Sequence, residues 1–186
     1  MRYRNDMSPE PKSHIKTLMR IGYDFNSAIA DIIDNSITAK AKKINIICPP
    51  ETDNPFLTIV DNGIGMEPEE LIQNMRIGCK DPNQKRDAGD LGRFGSGMKT
   101  ASFSHARRLT VISHKKGKKI AAACWDIDEI EDKNAWCLRE LNEKDIHDLD
   151  HLDKELIKGV GTQLIWEKIK KFEETDHNNS KNSIET

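Results

Sequence analysis

Three short segments of the sequence carry the side chains best suited to chemistry. The first is DIIDNS, residues 31–36, in which Asp31 and Asn35 are four positions apart. Residues at this spacing lie on the same face of a helix. A carboxylate beside a carboxamide oxygen can polarise a water molecule and ligate Mg²⁺, which prefers oxygen ligands. The alternative for this pair alone is two polar side chains that face water on an amphipathic helix.

The second segment is DNGIG, residues 61–65, which follows an apolar run. The carboxylate of Asp61, at the end of a strand, can accept a hydrogen bond from an exocyclic amine such as that of adenine. Gly63 and Gly65 let the backbone approach a flat ring closely. A simple hairpin turn at Asn-Gly is the alternative, but a mostly helical pattern follows the segment instead of a partner strand.

The third segment is GRFGSGMK, residues 92–99, in which several glycines precede a predicted helix. Free N–H groups at a helix N-terminus and a nearby cation form a natural phosphate site. Lys99 supplies that cation, and the alternative is a helix lysine that faces solvent. The segment does not match GxxxxGK[ST], and no βαβ unit with a downstream acidic residue indicates a dinucleotide-binding fold.

Hydrophobic periodicity predicts the elements that position these segments. Helices are predicted over residues 13–22, 26–39, 69–76 and 148–158, and one more begins at the glycines before Met98. In the second helix Asn26 or Ser27 is the candidate N-cap, and Ile29, Ile33 and Ile37 share the apolar face. Strands are predicted at residues 44–48, 56–60 and 161–169, with a hairpin over residues 107–126.

The chain fits one domain with polar ends. Residues 1–12 are predicted to be an N-terminal arm, and residues 13–170 the domain, which at this size can bury roughly 70% of its unfolded surface. Residues 171–186 contain almost no apolar side chains, which predicts a disordered tail or the start of a linker. Residues 77–97 combine glycines and charges without periodicity, as a disordered loop or a ligand-covering lid would.

Composition excludes several classes of site. The formal net charge is −2, which gives no electrostatic reason to expect nucleic acid as the main ligand. A Lys-rich turn around residues 115–119 could touch phosphate, but a solvated turn is the simpler interpretation. Neither a signal-peptide pattern nor a run of 18 apolar residues is present, which predicts a cytoplasmic protein. Metal-ligand and redox spacings are absent around the cysteines, so we predict free thiols at Cys48, Cys79, Cys124 and Cys137.

In their order along the chain, the three segments resemble the GHKL ATPase superfamily of gyrases, heat-shock chaperones, histidine kinases and MutL, over roughly residues 13–167. The Gly161-Thr162 pair also fits the pattern of this superfamily. The resemblance implies an α+β fold: a two-layer α/β sandwich of the Bergerat type, with a mixed, mostly antiparallel sheet and helices on one face. DNS followed by GMKTAS is most similar to the microrchidia (MORC)-like and related bacterial ATPases.

The resemblance also implies a role for each matching residue. Asp31 would be the general base and Asn35 the ligand of Mg²⁺, while Asp61 would bind the adenine amine with help from Thr162. The family usually has Glu in place of Asp31, and a misplacement of about 1 Å can cost on the order of a hundredfold in rate. The remaining contacts to the base and the phosphates would come from Gly63, Gly65, Met66, Gly92, Arg93, Phe94, Gly95, Gly97, Met98 and Lys99.

The activity implied is Mg²⁺-dependent ATP binding with slow hydrolysis, coupled to closure of the lid over residues 77–97 and to formation of a homodimer. The family often takes a further catalytic lysine from a following transducer domain, so we expect little turnover by this piece alone. DNA or a protein client would be bound through further domains. The alternative is an ATP sensor that dimerises without hydrolysis. A histidine kinase is disfavoured because only a short stretch precedes Asp31, and a decayed interaction domain because Asp61 and Lys99 are intact.

Overall fold

The computed structural model describes residues 9–20, 24–49, 53–77 and 97–169. The helices in these ranges are α1 (Pro11–Leu18), α2 (Phe25–Thr38), α3 (Pro68–Met75), α4 (Gly97–His105), α5 (Ile127–Lys133), α6 (Glu143–His147) and α7 (Lys154–Lys158). The strands are β1 (Ile44–Ile47), β2 (Leu57–Asp61), β3 (Ala106–His114), β4 (Ala121–Asp126), β5 (Arg139–Leu141) and β6 (Gly161–Ile169).

The strands form one sheet in the order β1-β2-β6-β3-β4-β5. Where a mixed sheet was expected, each pair of described strands is antiparallel. The last strand, β6, lies in the centre, between β2 and β3. Its register places Thr162 opposite Asp61 on one side and opposite Ser113 on the other. Three residues far apart in sequence, Asp61, Ser113 and Thr162, are therefore neighbours at one end of three adjacent strands.

The helices cover the two faces of the sheet unequally. Helices α1 to α5 pack on one face, where alternate strand residues such as Leu109, Val111 and Trp166 meet helix residues such as Ile32 and Phe103. The short helices α6 and α7 cover part of the other face through Ile146 and Leu156, which pack with Ile112, Ala122 and Ile165. The predicted α+β fold is confirmed, and the partial second helical layer is an addition to it.

Helix α2 differs from its prediction at its start and in its buried face. Its N-cap is Asp24, whose carboxylate accepts a hydrogen bond from the Ser27 N–H over 3.1 Å, so Asn26 and Ser27 are not the cap. The buried residues are Ala28, Ile32 and Ser36, whereas Ile37 is 52% exposed. The buried stripe is thus displaced by one residue, about 100° around the helix, because Ser36 bonds to a buried group on β2.

The other helix boundaries follow recognisable end signals. Helix α1 begins at Pro11, two residues before its predicted start, since proline is favoured in the first turn. Helix α7 is much shorter than the predicted helix over residues 148–158. Helices α5 and α6 were not predicted, although each has an acidic first turn and a capping side chain, from Asp126 and Asn142 respectively. Both are too short to show a helical period in the sequence.

The described cysteines agree with the prediction of free thiols. Cys48, Cys124 and Cys137 are free, as predicted, and Cys79 lies outside the described residues. Among the helices described, none combines the length and the apolar character needed to cross a membrane.

Candidate functional site

The buried carboxylate of Asp61, the last residue of β2, lies at the centre of the site and is 8% exposed. The Ser36 hydroxyl on α2 donates to Oδ2 over 2.9 Å, and the Gly63 N–H donates to Oδ1 over 2.8 Å. Burial raises the pKa of Asp61, although hydrogen bonds from Gly63, Ser36 and the Thr162 backbone oppose the shift. A carboxylate has about four acceptor positions, so the group can accept a further donor from a ligand.

The turn after Asp61 is fixed to the connection between α2 and β1. A Cβ atom on Gly63 would come within 2.7 Å of the Ala39 carbonyl oxygen, so a larger residue does not fit there. The Asn62 side-chain oxygen accepts hydrogen bonds from the backbone N–H groups of Lys42 and Lys43, both over 2.8 Å. The DNG sequence is therefore a turn bound to α2, and not part of a hairpin.

The other end of the DNGIG segment packs on the end of β3. Gly65 has φ of +64°, and a Cβ atom on it would overlap the carbonyl oxygen of His114. The Met66 N–H donates to the hydroxyl of Ser113 over 2.8 Å. The same hydroxyl lies 2.8 Å from the Thr162 hydroxyl on β6. Ser113 thus joins the segment to the central strand.

The Gly161-Thr162 pair lies directly beside Asp61. Gly161 has φ of +147°, and a Cβ atom there would overlap the carbonyl oxygen of Asp61. The Ser113 hydroxyl also lies 3.1 Å from the Gly161 carbonyl oxygen, which can accept from it. The late strand that the resemblance assigned to the base pocket therefore touches the acidic residue assigned to the same pocket.

Asp31 lies on the side of α2 that faces the start of α4, and Asn35 lies one turn further along the same helix. Asp31 is half-buried and Asn35 is exposed. A Cβ atom on Gly97 would lie 3.1 Å from Oδ2 of Asp31, so the first and third chemical segments are in contact. No group of three or more His, Cys, Asp or Glu side chains that could hold a metal ion occurs within residues 9–20, 24–49, 53–77 and 97–169.

Lys99 is buried at the junction of α4 and α3. Lys99 is 2% exposed, so the alternative of a solvent-facing lysine is wrong. The ammonium group donates to the carbonyl oxygen of Asn74, in the last turn of α3, over 2.5 Å. A cation in this place also complements the negative end of the helix dipole. Met98, before it, packs against the larger core.

Four predicted phosphate contacts, Gly92, Arg93, Phe94 and Gly95, lie outside the described residues, as do residues 78–96 of the predicted lid. The described members of the set fall into two groups. Asp61, Gly63, Gly65, Met66 and Thr162 lie at one end of the strands β2 and β6 and in the segment after β2. Asp31, Gly97, Met98 and Lys99 lie at the junction of α2, α3 and α4, and Asn35 lies one turn further along α2.

Sequence reasoning missed three polar residues that build the site: Ser36, Asn62 and Ser113. The signal for Ser36 was available, since a small polar residue beside the DN pair can point inwards from a helix. Asn62 was treated only as a turn former. Ser113 gave no signal, because its partners Met66 and Thr162 are 47 and 49 positions away.

The arrangement is suited to an uncharged, planar ligand with an amine donor that carries an anionic extension. Asp61 offers an acceptor in a dehydrated place, where a hydrogen bond is worth more than in water. The missing side chains at Gly63 and Gly65 let the segment pack closely against Ala39 and His114, which fixes the backbone beside Asp61. The start of α4, with Asp31 opposite and Asn35 one turn further along α2, offers helix N–H groups for an anion and oxygen ligands for a cation.

Comparisons with known proteins show which sequences the chain resembles. The family model described as histidine kinase-, DNA gyrase B- and HSP90-like ATPase matches residues 23–159. The chain is 31% identical over 91 residues to ATPase morc-1 of Caenorhabditis elegans, covering 49% of this chain and 10% of that protein. It is 29% identical over 92 residues to ATPase MORC2B of Mus musculus, covering 48% and 9%. The chaperone protein HtpG of Rickettsia prowazekii is 32% identical over 105 residues, covering 51% and 17%. The chain therefore spans a small part of the length of these relatives.

Proposed function

The chain belongs to the histidine kinase-, DNA gyrase B- and HSP90-like ATPase family. We therefore propose that it binds ATP, with the adenine ring at Asp61, and hydrolyses it slowly to ADP and phosphate. The buried Asp61 carboxylate supports the proposal most directly. Ser36 and Gly63 hold both of its oxygens in place, and close packing at Gly63, Gly65 and Gly161 fixes the backbone around it.

The chemistry of Asp61 favours adenine over guanine. Adenine presents an exocyclic amine, a donor that a carboxylate can accept. Guanine presents a carbonyl oxygen at the corresponding position, and two acceptors would face each other. The Thr162 hydroxyl, which lies beside Ser113, can assist as a second polar contact. Gly63, Gly65 and Met66 line the base in this proposal.

The residues at the start of α4 fit the phosphates and Mg²⁺. The backbone N–H groups of Gly97 and Met98 lie at a helix N-terminus, which favours anions. Asn35 is exposed and carries an oxygen donor, and Mg²⁺ is commonly held by one or two protein oxygens together with phosphates and water. When bound, Mg²⁺ would neutralise phosphate charge. In this proposal Lys99 adds a positive charge near the phosphates, since its ammonium has three donors and the Asn74 carbonyl accepts from one of them.

Asp31 is the base in the hydrolytic proposal, since its carboxylate lies against Gly97. It would accept a proton from the attacking water, and positioning would supply most of the rest. The second candidate is an ATP sensor that binds and dimerises without hydrolysis, and the short side chain of Asp31 favours it. Lid closure over residues 77–97, a homodimer, a DNA or protein client and a cytoplasmic location stay predictions.

Calorimetric titration of the chain with ATP and with GTP in the presence of Mg²⁺ tests the proposal. We expect heat from ATP only, and an Asp61→Asn variant that has lost at least about tenfold in affinity, because the amide is a weaker acceptor than the carboxylate. Asp132→Asn, an exposed change of the same chemistry, is the matched control. Absence of both heat and a melting-temperature shift at saturating ATP would contradict the proposal.

A further inference from the structure

The Lys-rich turn between β3 and β4 is attached to the start of α3. Lys118 Nζ lies 2.6 Å from an oxygen of Glu67. Lys115 Nζ lies 3.1 Å from Glu70 and 3.8 Å from Glu67. Glu67 is the N-cap residue of α3, yet its side chain makes no capping hydrogen bond to the helix. Its carboxylate is instead held by two lysines of the turn.

The remaining two lysines of the turn, Lys116 and Lys119, are exposed and form no ion pair with the described residues. The turn therefore has two kinds of lysine within five positions. One kind bridges to α3, and the other faces solvent. This difference provides a matched control for every test of the bridging pair.

The strand before the turn touches the segment that leads into α3. The Ser113 hydroxyl accepts the Met66 N–H, and the His114 carbonyl occupies the place of a side chain at Gly65. Residues 113–118 thus contact the segment from Gly65 to Glu70 at both of its ends. Ser113 and His114 make uncharged contacts with Gly65 and Met66, and Lys115 and Lys118 form ion pairs with Glu67 and Glu70.

We propose that residues 113–118 form a brace that sets the position of the loop over residues 63–66, so that affinity for adenine nucleotides depends on the Lys115 and Lys118 ion pairs and decreases with added salt. The inference rests on the proposed nucleotide site. Asp61 fixes the start of this loop, and α3 fixes its end. Movement of α3 at Glu67 would therefore move Met66 and Gly65 relative to Asp61.

The charges explain why the effect is modest and sensitive to salt. Glu67 and Lys118 shift each other's pKa values in favour of the charged forms, the glutamate downwards and the lysine upwards. All four side chains are partly exposed, and such pairs each contribute little. Ions at physiological strength screen exposed charges over about 8 Å. The three pairs together correspond to roughly a three- to tenfold change in affinity.

The test is calorimetric titration of the chain with ADP, which avoids turnover, at low and at high salt. The brace variant is Lys115→Glu/Lys118→Glu, and the control is Lys116→Glu/Lys119→Glu. The two double variants have the same net charge and alter the same turn, so the long-range field on the phosphates changes alike. We expect roughly three- to tenfold weaker ADP binding by the brace variant than by the control at low salt, and a smaller difference at high salt.

A charge exchange provides the second arm. Adding Lys118→Glu to Glu67→Lys restores an ion pair of opposite orientation, while the new lysine still faces Lys115. We expect the double variant to recover part of the affinity that Glu67→Lys alone loses. Equal ADP affinities for the brace variant and its control would overturn the brace while leaving the nucleotide site intact. If the unmodified chain binds neither ADP nor ATP, the proposed function itself fails, and the brace with it.

Discussion

The hydroxyl of Ser36 donates to the carboxylate of Asp61 over 2.9 Å, across 25 positions of sequence. This contact connects two elements of the proposed site. Helix α2 carries the proposed general base, Asp31, and the proposed Mg²⁺ ligand, Asn35, and strand β2 carries Asp61, which would bind adenine. It also explains why α2 buries Ser36 where the apolar pattern predicted an isoleucine face.

Ser36→Ala removes one of the donors that stabilise the Asp61 carboxylate. We expect the free energy of unfolding to fall by about 1–3 kcal/mol at neutral pH, because a buried charged acceptor loses a partner. Urea unfolding monitored by circular dichroism measures it. Ser104→Ala, which removes a hydroxyl that bonds within its own helix, is the control and should cost less. Similar losses for both variants would argue against a special role for Ser36.

The pH dependence of stability should report the burial of Asp61. Its pKa is raised in the folded protein, so the folded state keeps the proton to a higher pH than the unfolded state. The contribution of Asp61 to stability is therefore full below its ordinary pKa and is lost as pH rises through the folded pKa. Unfolding in urea at a series of pH values, with Asp61→Asn as the reference, isolates this contribution. We expect the unfolding free energy of the unmodified protein to fall relative to that of Asp61→Asn as pH rises through this window. A relative rise would contradict the expected sign.

Lys99→Met should destabilise the protein in the absence of any nucleotide. The ammonium of Lys99 is buried and bonds to the Asn74 carbonyl, and the variant leaves that acceptor unpaired. We expect a loss of about 1–3 kcal/mol in the free energy of unfolding, whereas Lys119→Met, at an exposed position, should change it little. If the two variants are equally stable, Lys99 does not hold α3 to α4.

Gly65→Ala and Gly117→Ala separate two costs of losing a glycine. Both residues have positive φ, +64° and +75°, so both variants incur about 1–2 kcal/mol of backbone strain. A Cβ atom meets nothing within 4 Å at Gly117, but at Gly65 it overlaps the carbonyl of His114. We expect Gly65→Ala to lose roughly a further 1–3 kcal/mol and to weaken ATP binding. Thermal and urea unfolding give the difference, and equal stabilities would place the His114 contact in doubt.

Asp31→Asn distinguishes an ATPase from a sensor. If Asp31 is the base, ADP release in the presence of Mg²⁺ should fall by a factor of at least about 100, while ATP binding changes little. A coupled assay for ADP and calorimetry for binding measure the two effects. Binding without turnover by both proteins, even with a following transducer domain supplied, would support the sensor. Equal turnover by both would exclude Asp31 as the base.

The local features of the fold were readable from the sequence because they depend on neighbouring residues. The predictions placed the start of α3 within one residue of Pro68, α4 at its glycines and the β3–β4 hairpin at its Lys-rich turn, close to their observed bounds. The missing parts depend on distant contacts. The predicted buried face of α2 was wrong because the rotation of this helix depends on the contact of Ser36 with Asp61, which lies on β2. The capping signals of α5 and α6 were present, but their short length hid the helical period.

The candidate site was predicted unevenly for the same reason. The acidic residue and the glycines around it belong to short motifs, and a motif is local. Ser113 is recognisable only once β6 lies between β2 and β3, since it meets Met66 and Thr162 across the sheet. Nothing near Ser113 in the sequence distinguishes it from any other serine of a hairpin strand. Lys99 was recognised as a chemical residue, but its contact with Asn74 depends on the packing of α3 against α4.

The central position of β6 has a consequence for the order in which the sheet can form during synthesis. The β1–β2 pair and the β3–β4–β5 group share no strand pairing except through β6, which is the last strand of the sheet to be synthesised. Until residues 161–169 are synthesised, no strand can join the β1–β2 pair to the β3–β4–β5 group. Pairing β6 with both groups closes long loops, the kind of contact that slows folding. The same strand places Thr162 between Asp61 and Ser113, so it completes both the sheet and the proposed nucleotide site.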